Sequence, residues 1–410
     1  MARAYTCLEI PQMRIEDESV NEDLLALTHA GENPARYLHA VVPPVFLNSL
    51  HVYESQGEYA GDVACDDHYV YGRVSNPTVE IAEAKVAELE HAARAAMFAS
   101  GMAAATSAIM ATCKAGSHIV CQKNCYGPVK AFINNLLVPN FGMTVTYVSA
   151  LDLAELEAAI RPETSLIILE SPATFVFTVV DIAEIAKIAK KHGVRTYIDN
   201  SYCTPIFQKP LDLGVDIVMH TMSKYIGGHS DIIGGVLASK DAALMDLIAR
   251  QTRELFGGII GPMEAWLVIR GLRTLDIRVR QHERNAKEVA SWLERNPRVR
   301  RVHYTGLASH PQAEIIRKQQ TGSTGLLSFE LDGTGADAVR LVDSLKLFGK
   351  GCSWGGFESL ALAPLSKATE EELTFLGLPG GGSLVRIHCG LEGAENLIGD
   401  MEQAFQRTFQ

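Results

Sequence analysis

A lysine at the carboxyl end of an apolar strand is an amine placed where burial lowers its pKa, and Lys224 holds such a position. It follows the apolar stretch Val215-Asp-Ile-Val-Met219 and precedes Gly227-Gly228, glycines of the kind that let backbone approach a ligand. An amine so placed can form a Schiff base with a carbonyl group. Thr221 and Ser223 add hydroxyls beside it, which suits a phosphate ester. Most lysines simply face solvent, so Lys224 draws its meaning from its neighbours.

Further groups fall where the same ligand would need them. Ala99-Ser-Gly-Met-Ala103 sets Ser100, Gly101 and Met102 at the start of an Ala-rich helix, whose first N–H groups lack intrahelical partners and can bind an anion. Asp199 ends the apolar run before Asn200; its carboxylate can keep a ring nitrogen protonated and turn the ring into an electron sink, or it can serve as a plain cap. Tyr126, in Asn124-Cys-Tyr-Gly-Pro128, offers a face for stacking and a hydroxyl for proton transfer, within a sequence that is also a good turn. Arg73 in Tyr71-Gly-Arg73 and Arg386 in Ser383-Leu-Val-Arg-Ile-His-Cys389 are candidate anion clamps. A guanidinium inside so apolar a strand is costly unless paired, which favours a function for Arg386.

These groups must be held by a scaffold, and the hydrophobic pattern supplies one. Strands are expected over 118–122, 143–148, 165–169, 194–198 and 215–219, with helices over 79–92, 102–113, 153–160 and 182–192 between them. Such alternation predicts an α/β fold, a mainly parallel sheet covered by helices on both faces, with ligands at the strands' carboxyl ends. One long helical pattern from Gly261-Pro262 to about Asn296 leads into a smaller α+β unit with strands over 326–331 and 383–389 and a last helix over 394–405. The expected divisions are an N-terminal arm over 1–60, a ligand-binding α/β domain over 61–260 and a C-terminal α+β domain over 261–410.

With 410 residues, 47% of them apolar, the chain can bury at least one large core. Its net charge of −11 argues against general affinity for nucleic acid or anionic membrane, leaving small molecules and copies of itself as partners. Met1 to Asp23 lacks the basic-then-apolar layout of a signal peptide, and no run approaches the roughly 18 apolar residues needed to span a bilayer. The eight cysteines are therefore expected to be reduced thiols in the cytoplasm. Cys121 and Cys125 have no second pair at finger spacing, so no metal site is expected.

The most specific segment, Ser223-Lys-Tyr-Ile-Gly-Gly-His-Ser-Asp231 with Gly234-Gly235, is joined in order by Tyr71-Gly-Arg-Val-Ser-Asn-Pro-Thr78, Ser100-Gly101, Glu170-Ser-Pro172, Asp199-Asn200 and Arg386. From about Leu25 to the C-terminus the chain thereby resembles the transsulfuration family of pyridoxal 5'-phosphate (PLP) enzymes. The resemblance implies PLP fold type I and a cofactor carried on Lys224, which also shuttles protons. It implies that Asp199 pairs with the pyridine nitrogen and that Tyr126 stacks on the ring. The phosphate would be held by backbone at Gly101 and Met102, by Thr221 and Ser223, and by Tyr71 and Arg73 of a neighbouring subunit. A dimer would then be the minimum active unit and a homotetramer the family habit. The substrate carboxylate would go to Arg386, assisted by Ser353.

Within that family, Ser353-Trp-Gly-Gly-Phe-Glu-Ser-Leu360 looks like the bacterial cystathionine β-lyase branch, with Trp354 beside the substrate. The expected reaction is α,β-elimination of cystathionine or a related thioether amino acid to a thiol, pyruvate and ammonia. The alternative is a γ-elimination or γ-replacement enzyme resembling methionine γ-lyase or the cystathionine γ-lyases and synthases. The rival of another class is a non-catalytic binding protein on the same fold. Thr174, Cys352, Pro128 and Glu254 depart from residues usual in one branch or another.

Overall fold

The computed structural model describes residues 21–65 and 69–409, without the side chains of 62–65. The first twenty residues of the expected arm lie outside the described residues.

Seven strands form the larger sheet: β1 (Arg94–Phe98), β2 (His118–Gln122), β3 (Thr144–Val148), β4 (Thr164–Glu170), β5 (Arg195–Asp199), β6 (Ile217–Thr221) and β7 (Gly235–Ser239). Their order across the sheet is β1-β7-β6-β5-β4-β2-β3. The four pairings among β2 to β6 are parallel, whereas β7 runs antiparallel to both β1 and β6. Strand β1 therefore points the same way as β2 to β6, and the carboxyl ends of all six lie on one rim.

Apolar clusters on both faces of this sheet explain its near-continuous hydrophobic strands. On one face the Ala-rich helix Gly101–Thr112 brings Ala104, Ala105, Ala108 and Ile109 flat against the strands. Helix boundaries follow local chemistry. Asn76 caps Pro77–Leu89, and Asp181 caps Ile182–His192, which Gly193 ends in a left-handed conformation.

The smaller sheet is antiparallel throughout, in the order β10 (Leu360–Leu362), β11 (Leu384–His388), β9 (Leu326–Leu331), β8 (Val299–His303). It packs with the helices Gly335–Ser344 and Ala394–Thr408 around a cluster that includes Phe329, Phe348 and Phe405. The single long helix expected before it is two, Pro262–Leu272 and Leu275–Glu294. The break has a local cause: the Gly271 carbonyl accepts from the Thr274 hydroxyl at 3.3 Å and from the Arg278 guanidinium at 2.7 Å. The second helix spans both halves, with Val279 in a cluster under the large sheet and Ala286 in the cluster of the small one.

Candidate active site

Four neighbouring strands deliver side chains to one rim. The turn after β2 carries Tyr126, β4 ends in Glu170, β5 ends in Asp199, and β6 runs through Thr221 to Ser223 and Lys224. Strand β1 leads through Ser100 into the helix Gly101–Thr112, so that helix N-terminus opens on the same rim.

The candidate phosphate cradle is tight. A Cβ on Gly101 would lie 3.1 Å from the Thr221 Cβ and 3.2 Å from its hydroxyl, so glycine is what lets the helix start meet β6. A Cβ on Gly235 would lie 2.4 Å from the Ser100 carbonyl, so β7 also needs glycine there. Ser100 accepts from the Ala103 N–H at 3.0 Å, which leaves the first amides, including those of Gly101 and Met102, without intrahelical acceptors. Thr221 and Ser223 are fixed by the same residue: Thr221 donates to the Gly234 carbonyl at 3.4 Å, and Ser223 accepts from the Gly234 N–H at 3.2 Å. Amides, hydroxyls and a helix N-terminus together make a fitting seat for a phosphate ester.

Lys224 is partly buried, its Nζ 2.7 Å from the Ser353 Oγ and 5.5 Å from the Trp354 ring centre. Burial, followed by the positive Arg386, pushes its pKa down, while Cys352 and Asp199 oppose the shift. That favours the neutral amine a nucleophile or base requires. Asp199 accepts from the Ser201 N–H at 2.9 Å. Asp199 is partly buried; burial raises its pKa, and hydrogen bonds from Ser201 offset part of that rise. A protonated ring nitrogen facing it would supply the missing positive partner.

Tyr126 is half-exposed over the rim, and burial of its lower part, followed by the nearby Asp199, pushes its hydroxyl pKa up. Arg386 is buried in β11 and donates to the Cys352 carbonyl at 2.9 Å. Among the described residues it has no carboxylate partner, which leaves donors for an incoming one. His388, two residues on, lies 3.1 Å from the Gly356 carbonyl. Strand β11 thus pins both ends of the segment that presents Ser353 and Trp354.

One expectation changes. Gly227 and Gly228 do not open space for a ligand. A Cβ on Gly227 would lie 2.7 Å from Ile232 and from the Met222 carbonyl, and one on Gly228 would lie 1.9 Å from the Arg278 guanidinium. Their role is to let the lysine-bearing loop pack on Arg278, which donates to the Tyr225 and Ile226 carbonyls at 2.7 and 3.4 Å. Trp354 also has a structural explanation: its ring packs 5.4 Å from that of Tyr225 at the edge of a core cluster.

Tyr71 and Arg73 are not brought to Lys224 within one chain. Arg73 pairs with Glu254 at 3.1 Å and lies over the Tyr71 ring at 5.7 Å. Composition and strand pattern give no notice of Arg278, yet its signal is present: Leu275, Arg278 and His282 share one buried helical face.

Similarity to known proteins identifies the family. The profile of the family described as Cys/Met metabolism PLP-dependent enzymes matches residues 25–406. An L-methionine gamma-lyase of Pseudomonas putida is 36% identical over 392 residues, covering 93% of this chain and 96% of that protein. The cystathionine gamma-lyase of Homo sapiens is also 36% identical, covering 92% of each chain. The crystal structure of metB from Corynebacterium glutamicum superimposes with a TM-score of 0.88 at 32% identity, covering 95% of this chain and 99% of that one. The chain therefore has the type I PLP fold and belongs to the Cys/Met metabolism PLP-dependent enzyme family as a PLP-dependent lyase.

Proposed function

We propose that the chain eliminates a thiol from the γ-carbon of a thioether amino acid of the methionine or cystathionine type, releasing 2-oxobutanoate and ammonia. The carrying observation is the similarity over nearly the whole chain to both methionine and cystathionine gamma-lyases. This favours the alternative over the expected β-elimination. Trp354, in the segment that pointed to a β-lyase, packs on Tyr225 and lies 5.5 Å from the Lys224 Nζ, a position compatible with either elimination.

When bound, PLP supplies an electron sink for the substrate's α-carbon. The protein supplies the rest. Gly101, Met102, Thr221 and Ser223 would hold the phosphate, Asp199 would keep the ring nitrogen protonated, and Tyr126 would cover the ring. Arg386 would bind the substrate carboxylate and thereby turn the α-hydrogen toward Lys224. As a neutral amine Lys224 would take the α-proton, give it up again within the site and, neutral once more, take a proton from the β-carbon, which loss of the γ-substituent requires. Tyr126, whose raised pKa keeps its hydroxyl protonated, gives a proton to the leaving sulfur.

The active unit we propose is an oligomer, at least a dimer and by family habit a tetramer, with Tyr71 and Arg73 completing a neighbour's phosphate site. The exposed apolar side chains Leu38, Val41, Leu47, Leu50 and Val52 support such contacts. A cytoplasmic location is in keeping with the six cysteines whose side chains are described, all free thiols. Among the described residues no helix is long and apolar enough to cross a membrane.

Keto-acid analysis tests the reaction. Methionine and cystathionine should each give 2-oxobutanoate with one equivalent of ammonia. Pyruvate as the sole keto acid from cystathionine, with methionine inert, would overturn the γ-reading and restore the β-reading.

A further inference from the structure

Glu170 belongs to no step described above, yet it is wired to two residues that do. It ends β4 directly in register with Asp199, the last residue of β5. In-register residues on adjacent parallel strands point to the same face, about 5 Å apart. Its Oε2 accepts from the Tyr126 N–H at 2.6 Å and its Oε1 from the Thr174 N–H at 2.8 Å. Its own N–H donates to the Gln122 Oε1 at 2.9 Å, and Gln122 donates onward to Asn124 at 3.1 Å. Main chain and side chain of this one residue therefore grip the turn from Gln122 to Tyr126 at both ends. Tyr126 starts the helix Gly127–Phe132 with no side-chain cap of its own, so the Glu170 carboxylate serves its amide instead.

We infer that Glu170 is a positioning residue that seats Tyr126 over the cofactor and couples the seating of that ring to Asp199. The inference rests on the reading of Tyr126 as the ring that covers the cofactor.

Two carboxylates this close do not both ionise cheaply. Burial, and after it the charge of Asp199, pushes the Glu170 pKa up to about 8. The groups facing it are Asp199 and Tyr197 from β5, Cys125 and Tyr126 from the turn, and Lys130 from the helix behind. Cys125, Tyr126 and Tyr197 are all shifted upward and stay neutral while Glu170 gains its charge. The charge on Glu170 strengthens its hold on the two amides, so the environment of residue 126 should change across this pH range.

The test places 4-fluorophenylalanine, which has no ionisable hydroxyl, at position 126 of the PLP-loaded protein and follows its ¹⁹F resonance with pH. One titration step is expected between roughly pH 7 and 9 in the parent protein. In E170Q, which lacks the charge and one of the two acceptors, the step should vanish. In E170D, which keeps the charge at a different reach, it should persist with a moved midpoint. With tyrosine at 126, E170Q should lower kcat/KM about tenfold through the misplaced ring. A flat resonance in the parent protein, or the same step in E170Q, would overturn the inference. Should E170Q fail to fold, an unmoved midpoint in E170D would do the same. The resonance does not depend on which thioether is cleaved, so this result and the keto-acid result can fail separately.

Discussion

The Lys224 Nζ lies 2.7 Å from the Ser353 Oγ, which joins the reactive amine of the large sheet's rim to the segment that β11 of the small sheet holds in place. The hydroxyl accepts a hydrogen bond from the amine and holds it at the rim. Ser353→Ala should lower kcat/KM about tenfold, the scale of one positioned hydrogen bond in proton transfer, with an unchanged melting temperature. An unaltered kcat/KM would remove Ser353 from the site.

Arg386 lies buried without a carboxylate partner among the described residues, so removing it discards a binding contact rather than an internal ion pair. Arg386→Ala should raise KM for the amino-acid substrate about a hundredfold, in line with the loss of a two-pronged charged contact. A fall in kcat at constant KM would contradict the assigned role.

Gly228 has a φ of +71°, and the Arg278 guanidinium occupies the space a Cβ would need. Gly228→Ala should therefore cost about 2–4 kcal/mol in urea unfolding, combining backbone strain and overpacking. Arg278→Met opens that space and also strips donors from the Tyr225 and Gly271 carbonyls. The double variant should be less damaged than the sum of the two single ones. Additive losses would mean that the two residues do not interact.

His282 and His388 form a buried pair with ring centres 5.0 Å apart, each with one ring nitrogen lacking a partner. Burial pushes their pKa values down to about 3 and about 4. The unfolded chain takes up these protons near pH 6.5 while the folded chain refuses them, so the stabilisation is complete above pH 6.5 and falls as pH drops toward 4. His388→Gln should make that fall shallower by one proton, about 1.4 kcal/mol per pH unit. Urea unfolding between pH 7 and 4, compared in the two proteins, measures the difference; identical slopes would refute it.

Much of this site is legible in the amino-acid sequence. Lys224, Asp199 and Tyr126 can be placed because each follows a run of apolar residues that only a buried strand explains, and strand ends gather on one rim. Strands β1 and β7 are not legible in that way. Arg94-Ala-Ala-Met-Phe98 and Gly235-Val-Leu-Ala-Ser239 are short and rich in small residues, and their pairing is set by neighbours distant in sequence. The meaning of Gly227-Gly228 is hidden because flexibility next to a reactive lysine looks like room for a ligand, while the side chain that fills it, Arg278, lies some fifty residues on. Arg73 can be named as an anion clamp, but its partner in this chain, Glu254, gives no sign of itself in spacing.

We propose that one amine, Lys224, carries the cofactor. Reducing the PLP-loaded protein with borohydride fixes the cofactor to its lysine, and peptide mass mapping then reads the position directly. The expected result is a single phosphopyridoxyl adduct on the peptide containing Lys224, absent from Lys224→Ala together with the cofactor's protein-bound absorbance. An adduct on any other lysine, or undiminished absorbance in Lys224→Ala, would contradict the account.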